Sequence, residues 1–127
     1  MPEDIEKENA INEVNEIIEK CISCGMCKAL CPVFRIIGNE AISPRGKALE
    51  LKEEVYDKIV YECTLCKACE FKCPLNLKLT DAFRKAREVL VLQGREMKEN
   101  KEMISNIKEH GNPFGSRKGE DGKLYCC

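Results

Sequence analysis

The sequence predicts an all-α fold opened by an N-terminal amphipathic helix, on three observations. Apolar residues recur at helical spacing in several separate stretches, and no stretch alternates apolar and polar residues long enough for a strand. Two dense cysteine runs lie between those stretches, too short in period to be ordinary elements. The 127 residues amount to one domain's worth of protein, which argues against a multidomain enzyme. Hydrophobic residues make up 43% of the chain, but ten of them are Cys, so the core is thin unless a metal helps to organise it.

Residues 2–20 carry seven acids and two lysines, with Ile5, Ile11, Val14, Ile17 and Ile18 close to a helical period: an acidic amphipathic helix. The first cysteine run follows, Cys21, Cys24, Cys27 and Cys31 before Pro32. Ser43 and Pro44 then read as the cap and first residue of a helix whose apolar face is Ala48, Leu51, Val55 and Ile59. A second run, Cys63, Cys66, Cys69 and Cys73 before Pro74, begins 42 residues after the first, so the chain repeats its chemistry internally. Thr80 reads as the cap of a further helix with Ala82, Phe83, Ala86, Val89, Leu90 and Leu92 inward, until Gly94 interrupts it. The Val89–Leu92 run suits either core packing or a partner surface. A more polar helix resumes from Arg95 to about Lys108, with His110 before Gly111 reading as a cation at a helix C-terminus. The boundaries expected are residues 1–110 for the helical domain and 111–127 for a Gly-rich, extended or disordered tail ending in Cys126 and Cys127. That terminal pair reads as a dispensable end or as a redox-active or metal-touching pair.

Both runs have the spacing C-x2-C-x2-C-x3-C-P, the pattern of 4Fe-4S sites in which the fourth Cys serves the other cluster. Three thiolates two residues apart wrap a tight turn around one cubane, and the fourth, a helical turn on, points away. The crossed rule assigns Cys21, Cys24, Cys27 and Cys73 to one 4Fe-4S cluster and Cys63, Cys66, Cys69 and Cys31 to the other. Pro32 and Pro74 redirect the chain after the fourth Cys. Gly25 lets the backbone approach the sulfurs, and its counterpart Lys67 leaves room for that detail to differ. With a complete set of four thiolates per cluster, no open iron is expected for substrate chemistry, which makes this a non-catalytic two-cluster wire. Zinc sites use paired knuckles separated by a loop rather than a triple run, and thiols so closely spaced on a turn are poorly placed for disulfides.

The formal net charge is −1, and two clusters of about −2 each would take it to about −5. Lys28, Arg35, Arg45, Lys47, Lys67 and Lys72 lie near the motifs, either to offset that charge and raise the potentials or simply as solvated cations. Phe34, Tyr56, Tyr61 and Phe71 are expected to pack around the clusters. No nucleotide or flavin fingerprint occurs, and the mixed charge gives no basic field for nucleic acid. The acidic N-terminus has no signal-peptide core and no apolar run is long enough to span a membrane, so a reduced, cytoplasmic chain is expected.

The two motifs with helical segments between and after them resemble the α-helical ferredoxin domain found in the iron-sulfur subunits of heterodisulfide reductase, glycolate oxidase, anaerobic glycerol-3-phosphate dehydrogenase and succinate dehydrogenase. The stretch from Ser43 to Gly46 is similar to the S-P-R-G segment of the glycolate oxidase and heterodisulfide reductase group, and Asn112 to Gly115 to its N-P-F-G linker. The resemblance covers residues from about 10 to 116. It implies electron transfer between a flavoprotein dehydrogenase and an acceptor, which in that group is a Cys-rich module. No C-x-x-C follows the linker here, so that module is expected on a separate chain, if it is used. The competing reading is an iron-sulfur sensor of redox state or oxygen.

Overall fold

Six α-helices and three short 3-10 helices carry residues 2–115, the part of the chain that the computed structural model describes; among them there is no strand. The rest of the Gly-rich tail, with Cys126 and Cys127, lies outside the described residues. The chain divides into two compact units, Met1–Arg95 and Glu96–Cys127, and the last helix ends at His110.

The first unit is built on three helices. α1 (Pro2–Ile18) has Glu3 and Asp4 in its first turn, where acids suit the helix dipole, and buries Ala10, Val14 and Ile18 at i, i+4, i+8. Ile5, expected on that face, is exposed because the stripe begins only at Ala10. α5 (Leu79–Leu92) packs along α1 and supplies the centre of the core with Ala82, Phe83, Ala86, Val89 and Leu90, so the first half of the apolar run is core while Val91 is exposed. Its end is a Schellman cap: Gly94 takes φ +69°, its N–H donates to the Val91 carbonyl, and the Arg95 N–H donates to the Leu90 carbonyl at 2.8 Å. α3 (Pro44–Lys52) packs against both, burying Ala48 and Leu51.

α3 starts as its sequence predicts, with the Ser43 hydroxyl accepting from the Gly46 N–H at 2.9 Å and Pro44 in the first turn. It stops earlier than its apolar pattern predicts. Glu54 adopts φ +57° and closes a second Schellman cap through Val55 N–H to the Glu50 carbonyl, so Val55 is exposed and Ile59 falls on the 3-10 helix Lys58–Glu62. A glutamate in the left-handed position is the signal that the sequence conceals. Thr80 likewise does not cap α5; it is the second residue of that helix, buried, and donates from its hydroxyl to the Glu70 carboxylate.

The second unit contains α6 (Lys98–His110), ended by Gly111 at φ +71°, with Lys108 and His110 in the last turn where cations suit the dipole. Asn106 Nδ2 donates to the Pro113 carbonyl at 3.1 Å and fastens the N-P-F-G turn to its helix.

Candidate functional site

The two cysteine runs fold as copies of one backbone. Ser23 and Leu65, each two residues after the first Cys, have φ +58° and +56°; Gly25 and Lys67, two residues further on, have φ +77° and +64°. The room left for a difference at Lys67 is therefore not used: the lysine adopts the same left-handed conformation, at a cost of about 1 kcal/mol that Gly25 does not carry. After these turns the first run enters the 3-10 helix Met26–Leu30 and the second enters α4 (Ala68–Lys72), and the two short helices pack against each other. Pro32 then begins α2 (Pro32–Ile37), with Cys31 as its cap, so at this position proline starts a helix as well as redirecting the chain.

That packing brings the cysteines together in two groups. Cys21, Cys24, Cys27 and Cys73 line one cavity open to the surface, and Cys31, Cys63, Cys66 and Cys69 line another. Each cavity thus takes three thiols from one run and the fourth from the other. Among the described residues no three His, Cys, Asp or Glu side chains are gathered tightly enough for a single metal ion; the thiols stand around voids instead. Four thiols lining one pocket suit a polynuclear iron-sulfur group, and the donor set is all soft sulfur.

Position within the run sets exposure. The second Cys of each, Cys24 and Cys66, is exposed, whereas the third is turned inward: Cys69 is buried and Cys27 half-buried. Burial first, and then the neighbouring Cys21 thiol, pushes Cys27 up to about 11; burial and then Cys63 push Cys69 up to about 12. Neither inner thiol ionises readily by itself, so iron must displace its proton, as ligation generally does. Cys27 is among the charges that act on Cys69, which puts the inner edges of the two cavities side by side.

Cations from the core helices hold the start of each run. Lys52 of α3 donates to the Cys21 carbonyl at 3.1 Å. Arg87 of α5 donates to the Cys63 carbonyl and, at 3.0 Å, to that of Val60, with its guanidinium 5.4 Å from the centre of the Tyr61 ring. Glu70 of α4 accepts from the Thr80 N–H at 3.0 Å, which ties the helix carrying Cys69 to α5.

Of the six cations near the motifs, Arg45 lines the first cavity and Lys47 and Lys67 the second. Lys28 instead pairs with Glu40 at 3.0 Å. None of Phe34, Tyr56, Tyr61 and Phe71 lines either cavity; Phe71 is 84% exposed, and the aromatic that does reach the second cavity is Phe83. The i, i+3, i+4 pattern of α5 marks Phe83 as core, and nothing local distinguishes a core facing helices from one facing thiols. No helix among the described residues is long and apolar enough to cross a membrane.

Residues 17–77, which contain all eight of these cysteines, match the family model of the 4Fe-4S dicluster domain. The chain is 27% identical over 86 residues to the glycolate oxidase iron-sulfur subunit of Escherichia coli (strain K12), covering 61% of this chain and 21% of that protein. It is 32% identical over 90 residues to lactate utilization protein B of Bacillus thuringiensis (strain Al Hakam), covering 65% and 19%. To lactate utilization protein B 2 of Bacillus mycoides (strain KBAB4) it is 34% identical over 84 residues, covering 60% and 18%. The chain spans about a fifth of the length of these curated relatives. Duplicated turns, two thiol-lined cavities and the match over both of them agree: residues 17–77 belong to the 4Fe-4S dicluster domain family, whose resident cofactors are two 4Fe-4S clusters.

Proposed function

We propose that this chain carries single electrons through its two clusters as a non-catalytic iron-sulfur subunit of a larger oxidoreductase. The supporting observation is the crossed grouping of thiols around two adjoining cavities in one compact unit. In this reading Cys21, Cys24, Cys27 and Cys73 hold one cluster, and Cys63, Cys66, Cys69 and Cys31 hold the other. A bound 4Fe-4S cluster supplies reversible one-electron chemistry.

The chain's own residues define the route. Exposed Cys24 and Cys66 put the outer edge of each site at the surface, where a redox partner can approach. Cys27 and Cys69 lie on the two short helices that pack against each other, near enough for the charge of one to act on the other, so the inner step is short. Lys52 and Arg87 fix the backbone at the entry to each run, so that the thiols need not reorganise when charge arrives. With four thiols per site, no coordination position is left for substrate.

Two relatives bear on the partners: one is named as the iron-sulfur subunit of a glycolate oxidase, and the other as a lactate utilization protein. The same class of arrangement here pairs the chain with a flavoprotein dehydrogenase as donor and a Cys-rich or other subunit as acceptor. Thiolate ligands of this kind suit a reducing, cytoplasmic compartment.

Electron counting tests the reading. The anaerobic protein, reduced with dithionite and freed of excess reductant, is expected to deliver about two electrons per chain to oxidised cytochrome c, one from each cluster, and to keep its iron through repeated cycles. Loss of iron in the first cycle contradicts a carrier and favours a sensor.

A further inference from the structure

The two cavities differ in electrostatic character, and α3 creates the difference. Arg45 and Lys47, two residues apart on that helix, each reach a different cavity. Arg45 at the Cys21 side is about a third exposed, and its Nε lies 3.8 Å from Glu40, a carboxylate that also pairs with Lys28. Its charge is shared and partly hydrated. Apart from Ser23, the other side chains at that cavity are the thiols and apolar residues, Ile22, Leu75, Leu77 and Leu79 among them.

Lys47 at the Cys63 side is in the opposite condition. It is 2% exposed, the largest fully buried side chain among the described residues, and none of their carboxylates lies within salt-bridge distance of it. Its ammonium donates to the Ile42 carbonyl; the charges that act on it most are Cys63 and Cys31, with the carboxylates of Glu62 and Glu50 at longer range. A buried cation with no carboxylate in direct contact is costly unless a neighbouring negative group offsets it. Two more groups at this cavity favour negative charge on sulfur: the Phe34 N–H donates to Cys31 Sγ at 3.5 Å, and the Leu65 N–H to Cys63 Sγ at 3.4 Å.

Reduction adds one negative charge to a cluster. A buried cation with no carboxylate in salt-bridge contact and N–H donors to the sulfurs stabilise that charge, whereas an apolar wall with a cation paired to Glu40 does so less. We propose that Lys47 gives the cluster at the Cys63 side the higher reduction potential of the two, so that a single electron on the chain resides there and internal transfer runs downhill from the Cys21 side. The proposal rests on the two-cluster reading above.

The test is a potentiometric titration of the full, cluster-loaded chain followed by electron paramagnetic resonance. Cys24→Ala and Cys66→Ala identify which signal belongs to which cavity. Iron content of the unsubstituted chain is read first: without about eight iron per chain the cluster reading fails, and this proposal with it. With iron present, Lys47→Met is expected to lower the reduced-to-oxidised ratio of the Cys63-side cluster at least tenfold at fixed potential, equivalent to about 59 mV for one electron. The Cys21-side cluster shifts less, and Lys47→Arg, which keeps the charge, stays near the original ratio. If Lys47→Met costs the Cys63-side cluster its iron, the order of the two potentials is read in the unsubstituted chain and in Lys47→Arg, and a lower potential at the Cys63 side overturns the proposal. Equal shifts at both clusters, no shift with iron retained, or loss of the cluster in both Lys47 variants overturns it.

Discussion

Cys73→Ala is expected to remove the cluster whose other thiols lie 46 to 52 residues earlier in the chain and to spare the one whose run contains Cys73 itself. Cys73 closes the cavity lined by Cys21, Cys24 and Cys27, while Cys63, Cys66 and Cys69 face the other cavity with Cys31. Iron should fall from about eight to about four per chain, and the surviving paramagnetic signal should be the one that Cys66→Ala abolishes. Stability falls as well, because ligation contributes folding free energy and because this thiol ties the second run to the first. Cys31→Ala is the mirror experiment. If Cys73→Ala destroys the cluster of its own run and leaves that of the first run intact, the crossed assignment is wrong.

Gly46→Ala is expected to be the most damaging single methyl group in the first unit. A Cβ at Gly46 would stand 2.1 Å from the Glu40 carbonyl oxygen and 2.8 Å from Ala41 Cα, both backbone atoms that cannot swing aside. α3 lies this close to the 3-10 helix Glu40–Ile42 because Ser43 turns directly from one into the other, bonding to Gly46 and Glu40 at once. Forcing them apart displaces Arg45 and Lys47 together, one at each cavity. The loss should be about 3 kcal/mol or more in denaturant unfolding of the loaded protein, at the upper end of overpacking costs. Gly38→Ala provides the comparison: it meets nothing within 4 Å and carries only the strain of φ +73°, about 1 kcal/mol. Equal costs for the two substitutions would contradict the close approach.

What the sequence made legible is what depends on local spacing. The cysteine runs are recognisable because a tight turn with thiols at every third position has few other uses, and Ser43 and Pro44 announce a helix through short-range hydrogen bonding and a fixed φ. The features that escaped are decided at long range or by strain. Lys47 in a helix reads equally as a solvated cation or as one that offsets cluster charge, and its burial at 2% exposure is decided by tertiary packing that local sequence does not show. Glu54 and Lys67 occupy left-handed positions for which glycine is the usual signal, so neither the end of α3 nor the identity of the two turns could be read from composition. Phe71 looks like a cluster-packing aromatic because it sits between Cys69 and Cys73, yet α4 is a single short helix that turns those thiols inward and so turns Phe71 to solvent.

The most direct test of two 4Fe-4S clusters carrying electrons is the iron, acid-labile sulfide and zinc content of anaerobically prepared protein, with its visible spectrum before and after dithionite. Two loaded clusters predict about eight iron and eight sulfide per chain and an absorbance that bleaches on reduction. About two zinc per chain with no sulfide would contradict them.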